Sequence, residues 1–160
     1  MYGAGPLYGA VVVLLTAAGV ALTQTGRMPV IEYGRFYIPL AIAGAALLIA
    51  GACLWYSAVF CVRIDDHIKS NTLVTIGVYA WVRNPIYSAF LLACTGTLLL
   101  ADNLWLLVLP PIYWLYLTIL MKCTEEKWLA ALHGQAYAEY CRRVNRCIPW
   151  FPGKTENREI

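Results

Sequence analysis

Apolar residues fall into four long runs separated by short polar stretches, at about residues 6–23, 37–60, 85–100 and 104–121. A bilayer crossing needs roughly 20 mostly apolar residues. Each run predicts a transmembrane helix, with the first and third at the short end. After Met121 the pattern changes: Trp128, Leu129, Leu132 and Ala136 recur at three- and four-residue steps among Lys127, Gln135 and Glu139, which predicts an amphipathic helix. Gly134 is expected to divide it. A second helical piece carries Tyr137, Tyr140, Cys141 and Val144, with Arg142, Arg143 and Arg146 available to lipid headgroups. Residues 148–152 end regular structure and residues 153–160 read as a solvated tail.

The fold class is therefore all-α: a polytopic membrane helix bundle of about four transmembrane helices plus a C-terminal helical segment. One domain is expected over residues 1–152, with an N-terminal helical hairpin at 1–60 and the remaining elements at 61–152. The small residues Ala41, Gly44, Ala45, Gly51 and Ala52 predict close helix packing in the second span. Tyr33, Phe36 and Tyr37 fit an interfacial aromatic belt. Ala101-Asp-Asn103 is a turn between spans three and four. Pro110-Pro111 is expected to kink or interrupt span four.

Composition agrees: 61% of the 160 residues are hydrophobic and 13% charged, beyond the apolar content of ordinary soluble domains. Arg63, Lys69 and Arg83 lie between spans two and three, and Lys122, Lys127, Arg142, Arg143, Arg146, Lys154 and Arg158 follow span four. The other loops carry only Arg27 and Arg35. The positive-inside bias thus places both termini and the second loop in the cytoplasm. The first run has no Lys or Arg ahead of it, unlike a secretory signal, and is read as a retained span. The net charge of +3 belongs to that basic surface and forms no nucleic-acid footprint. Six cysteines (Cys53, Cys61, Cys94, Cys123, Cys141, Cys147) lack metal-site spacing and read as free, buried thiols.

Candidate chemistry gathers in Gly77-Val-Tyr-Ala-Trp-Val-Arg-Asn-Pro-Ile-Tyr87, a polar, aromatic-flanked turn opening into the third span. Asn84-Pro85 is a helix-start signal, with Asn84 expected to cap the free amides. The helix end, comprising Asn84, Pro85, Ile86 and Tyr87, offers amide donors and partial positive charge to an anion. Arg83 adds a full charge. Gly77 permits close backbone approach, and Tyr79, Trp81 and Tyr87 offer aromatic walls. Glu125 and Glu126, just after span four, return to the same face and could hold an ammonium or sulfonium cation. Taken singly, the Arg and Tyr residues would be headgroup anchors, and the paired glutamates would complement a helix dipole.

Residues 71–87 closely resemble the cofactor loop of the isoprenylcysteine carboxyl methyltransferases. A second block, Glu125-Glu-Lys-Trp-Leu, Gly134-Gln-Ala-Tyr-Ala-Glu-Tyr140, Arg142-Arg-Val and Ile148-Pro149, resembles the same family in order and spacing. Together the blocks cover about residues 71–151; the first two spans match only as generic apolar helices.

The resemblance implies S-adenosylmethionine as methyl donor and an integral membrane methyltransferase. It places Thr72, Leu73, Val74, Tyr79, Pro85 and Tyr87 at cofactor-loop positions, alongside Asn71, Asn84 and Ile86, and makes Glu125 the cofactor-binding glutamate. Arg83 matches the arginine of the motif and, with Glu125, is the candidate catalytic residue. Asn71 and Asn84 stand where the family carries histidine, so an imidazole base is absent there. Met121 replaces a substrate-associated arginine of the eukaryotic enzymes.

The implied acceptor is lipophilic and enters from the bilayer, with an isoprenylcysteine-like carboxylate as first choice and a phospholipid or small amine or thiol as alternative. The chemistry calls for no metal. A four-span transporter normally needs ionisable residues at membrane depth, which the first two spans lack. A scaffold leaves the two-block constellation unexplained.

Overall fold

The computed structural model describes residues 5–61 and 72–149. Asn71, Arg63, Lys69 and residues 150–160 lie outside the described residues. Among the described residues the chain is all-helical, with α1 (Gly5–Gln24), α2 (Tyr37–Tyr56), α3 (Pro85–Leu100), α4 (Leu109–Cys123) and α5 (Glu125–Arg143). A π-helical turn, Ser57–Cys61, extends α2, and a 3-10 turn, Leu104–Val108, precedes α4. Among the described residues three segments are long and apolar enough to cross a bilayer: Pro6–Gln24, Gly34–Cys61 and Leu104–Cys123. Helix α3 is the shorter, fourth apolar helix. The chain is an integral membrane helix bundle.

Its sides are those of a lipid-solvated protein. Ile38, Ile42, Ile49, Leu115 and Ile119 are exposed, which is favourable only where the surrounding medium is itself apolar. Helix α3 is the most enclosed, burying Ser88, Ala89, Leu91, Cys94, Gly96 and Leu98.

Small residues set its main contact. A Cβ at Gly96 would lie 2.5 Å from the Gly44 carbonyl oxygen, and one at Gly51 would lie 2.9 Å from that of Ala89. Glycines at these positions let the α2 and α3 backbones touch, which supplies packing where water-driven burial is unavailable. The expected role of Gly44 and Gly51 holds. The expected pairing of the first two spans as a hairpin does not: α2 packs along α3, whereas α1 packs against α3 and α4.

Pro110 and Pro111 fall in the first turn of α4, after the 3-10 turn, and so produce no kink within a regular helix. The first turn lacks intrahelical acceptors for its amides, so proline loses little there. Span four is interrupted at its start.

At the end of the bundle away from Tyr87, Asn103 is fully buried and ties two loops. Its Nδ2 donates to Thr23 Oγ1 at 3.1 Å and the Pro29 carbonyl at 3.2 Å, and its Oδ1 accepts from the Trp105 amide at 3.2 Å. Asp102, at φ +48°, accepts from the Tyr33 amide at 2.8 Å. Tyr33 is consequently buried in this knot and does not belong to the exposed aromatic belt, while Phe36 and Tyr37 remain exposed. Burial, then the nearby Asp102 carboxylate, pushes its phenol pKa up. An apolar depression of about 400 Å³ beside it is lined by Glu32, Phe36 and Leu40. It lies far from the charged residues described next.

Candidate methyl-donor site

The other end of the bundle begins with an irregular segment at residues 72–75 and a 3-10 turn, Gly77–Ala80. Gly77 has φ +59°, a conformation glycine adopts without a Cβ clash, and it turns the chain toward α3. Val74 and Tyr79 are buried against Ala58, with Val78 and Ile86 packed alongside. Leu73 packs on a second cluster formed by Tyr137, Tyr140 and Val144. The Tyr140 hydroxyl donates to the Tyr79 carbonyl at 2.6 Å. The loop thus rests on the far half of α5.

Gly134 makes this possible. Its φ +52°, ψ −123° breaks α5 in its middle, as the sequence implies. The first half starts at Glu125; the second buries Tyr137 and Tyr140. The amphipathic face expected from Trp128, Leu129, Leu132 and Ala136 is not a buried one: Trp128, Leu132 and Ala136 are exposed and Leu129 is half-buried. The buried side chains of α5, Tyr137 and Tyr140, come from beyond the break, with Leu129 packed against them from before it.

Segment 144–149 closes over the same loop. Val82 forms a parallel bridge with Asn145, and the Arg83 amide donates to the Asn145 carbonyl at 2.8 Å. Asn84 Nδ2 donates to the Arg146 carbonyl at 3.0 Å. Asn84 therefore does not cap α3 with its side chain, contrary to expectation. Its carbonyl accepts from the Ser88 amide and hydroxyl instead. The amides of the first turn are left to other acceptors.

Two carboxylates define the charge of the region. Tyr87 donates its hydroxyl to Glu125 Oε1 at 2.5 Å. Glu126 Oε1 lies 3.2 Å from Arg83 Nη1, and Arg146 grips Glu126 with Nε at 2.6 Å and Nη2 at 3.0 Å. The Arg146 pair is bidentate, the stronger geometry for guanidinium and carboxylate. This hydrogen bond is the main reason the Arg146 pKa is raised. Arg83 is nine-tenths buried, also donates to Cys141 Sγ, and keeps its Nε without a partner among the described residues.

Neighbouring acids are held neutral. Burial raises the Tyr137 and Tyr140 phenol pKa values and pushes the Cys147 thiol up to about 11. Cys94 and Cys147 are buried and free, whereas Cys53, Cys61 and Cys123 are exposed, unlike the uniformly buried set expected.

Of the sequence-chosen residues, the structure thus brings Tyr87 to Glu125 at the mouth of α3. It gathers Val74, Tyr79 and Ile86 in the apolar base beneath. Thr72 is exposed, and Trp81 is half exposed and forms no buried wall. Arg146 lies outside the sequence reading of the site, which assigns it to headgroups. Glu126, expected with Glu125 to hold a cation, is paired with Arg83 and Arg146. The link to Arg146 is made by the tertiary fold.

A helix bundle in a membrane, with an ion-paired polar cluster beneath one helix start, defines the class. The chain belongs to the phospholipid methyltransferase family, whose model matches residues 39–136. It is also similar to enzymes named protein-S-isoprenylcysteine O-methyltransferase, as the loop resemblance implied. The Homo sapiens enzyme is 30% identical over 124 residues, covering 71% of this chain and 43% of that protein. The Schizosaccharomyces pombe enzyme is 34% identical over 85 residues, covering 52% and 36%. The Saccharomyces cerevisiae enzyme is 35% identical over 87 residues, covering 54% and 34%. The chain therefore spans well under half the length of these relatives. No solved structure matches the chain.

Proposed function

We propose that this chain is an integral membrane methyltransferase that transfers the methyl group of S-adenosylmethionine to a lipophilic acceptor. The contact between Tyr87 and Glu125 carries this reading. It joins the two blocks that resemble the family's cofactor-binding segments into one site. The donor set suits the amino-acid end of S-adenosylmethionine: Glu125 is anionic beside a helix start whose amides have no side-chain cap. A cationic ammonium fits the first, a carboxylate the second.

Bound there, S-adenosylmethionine supplies a methyl group already activated by its sulfonium. The protein's part is alignment and exclusion of water. Glu125 and residues 84–87 hold the donor, with Thr72–Val74 leading into that loop. Arg83, its guanidinium charge buried and its Nε without a partner among the described residues, orients an anionic group. The preferred acceptor is an isoprenylcysteine-type carboxylate, which is ionised at neutral pH and needs no base. That fits Asn71 and Asn84 standing in place of histidine. The acceptor oxygen bonds to the methyl carbon as the carbon–sulfur bond breaks, and that electron pair stays on sulfur.

The basic residues Lys122, Lys127, Arg142 and Arg143 lie exposed near this end, and Arg27 and Arg35 near the other. The charge bias favours a cytoplasmic site. The family-model match over residues 39–136 favours a second acceptor, a phospholipid amine.

The test is incubation of purified protein with methyl-labelled S-adenosylmethionine, farnesylcysteine and a membrane-lipid extract. Label on farnesylcysteine supports the first acceptor, and label confined to phospholipid supports the second. Absence of label from both contradicts the reading.

A further inference from the structure

Helix α1 reads in sequence as a plain apolar span, yet it places one large polar-tipped ring directly against the site. Tyr8 is fully buried. Its ring meets that of Tyr87 edge-on, with centroids 5.9 Å apart and an interplanar angle of 81°. On another side it stacks on Tyr116 at 5.7 Å and 29°. The hydroxyl of Tyr87 then reaches Glu125. Three rings from α1, α3 and α4 thus form a wall that ends on the carboxylate of α5.

Tyr87 sits in the first turn of α3, where few preceding backbone atoms restrict its ring. Its hydroxyl meets Glu125 only while the ring keeps one tilt. An edge-to-face partner supplies such a restraint, because the positive ring edge seeks the negative face. The Tyr8 hydroxyl itself has no hydrogen-bond partner among the described residues. The observed contacts of Tyr8 are therefore those of its ring, and phenylalanine would reproduce them.

We propose that Tyr8 is a positioning residue for the methyl-donor site: from the first span, its ring holds Tyr87 at the angle that places the phenol on Glu125. The proposal rests on the function given above. It extends the site to a helix whose sequence carries no recognisable family signature.

The test is calorimetric titration of detergent-solubilised protein with S-adenosylmethionine. Tyr8→Leu is expected to weaken binding about 3- to 10-fold, the range of an aromatic pair, while Tyr8→Phe stays within about twofold of wild type. Tyr8→Met replaces Tyr8→Leu if the latter does not fold. Val12→Ala, at another fully buried position on α1, is the control: it should lower the melting temperature without changing affinity. A ligand-free double-mutant cycle of melting between Tyr8→Leu and Tyr87→Leu should show coupling. Coupling with no binding by wild type would leave the positioning geometry standing and sink the methyl-donor reading. Unchanged affinity in the leucine variant, lost affinity in the phenylalanine variant, an equal loss in Val12→Ala, or absent coupling would each overturn the role of Tyr8.

Discussion

The hydroxyl of Tyr87 and the carboxylate of Glu125 lie 2.5 Å apart across 38 residues of sequence. This contact fastens the first turn of α3 to the first turn of α5, on either side of the proposed donor pocket. A hydrogen bond to a charged group contributes about 1.5–3 kcal/mol. Tyr87→Phe should therefore weaken S-adenosylmethionine binding by roughly 10- to 100-fold. Calorimetric titration reads this directly, and an unchanged affinity would remove Tyr87 from the site.

Glu126 holds two guanidinium groups, and Arg83 is the more deeply buried. Glu126→Gln leaves that buried charge without its carboxylate, a change that costs about 3 kcal/mol where pairs are well desolvated. The expected result is a clear fall in melting temperature. Arg146→Lys should also destabilise, though less, because lysine cannot reproduce the two-pronged contact. Equal melting of wild type and Glu126→Gln would show the cluster to be dispensable.

The glycine contact between α2 and α3 makes a steric prediction. Gly96→Ala puts a methyl 2.5 Å from a backbone oxygen, whereas Gly9→Ala meets only the end of the Phe90 ring at 3.3 Å. Overpacking of this kind costs about 1–3 kcal/mol. Gly96→Ala should lower the melting temperature markedly more than Gly9→Ala. The reverse order would contradict the observed crossing of the two helices.

Burial disfavours the charged thiolate, which is why the Cys147 pKa rises to about 11. At pH 8 its thiolate fraction should be roughly one in a thousand, and the thiol is also enclosed. Cys123 is exposed. Maleimide labelling followed by mass spectrometry should find Cys123 modified rapidly and Cys147 spared, with Cys147 becoming reactive as denaturant is added. Early modification of Cys147 in folded protein would refute its burial.

The spans were legible because each is a local property. Asn84-Pro85 opens α3 where expected, and the described apolar segments agree with the four runs within a few residues. Gly134 announced its break for the same reason. What the chain order concealed was lateral: α1 and α2 adjoin in sequence but gather around α3. Apolar spans alike in composition do not reveal their neighbours, apart from small-residue patches such as Gly44.

The polar residues were harder to place. The place of Asn84 before Pro85 predicts a cap, yet in the folded chain its side-chain amide donates to the Arg146 carbonyl and it makes no cap. Arg146 itself looked like a headgroup anchor until segment 144–149 folded over the loop. Asn103 resembled an ordinary turn residue, and its burial follows from the loop at residues 25–33 packing on it. Each case turns on a partner that no local spacing specifies.

The central claim is that Glu125 holds the methyl donor. Its most direct test is isothermal titration of purified protein with S-adenosylmethionine, comparing wild type with Glu125→Ala at matched folded fraction. The account predicts saturable binding by wild type and a loss of at least about 10-fold in the variant, the scale of one charged hydrogen bond. Equal affinity in both proteins, or no binding by well-folded wild type, would contradict it.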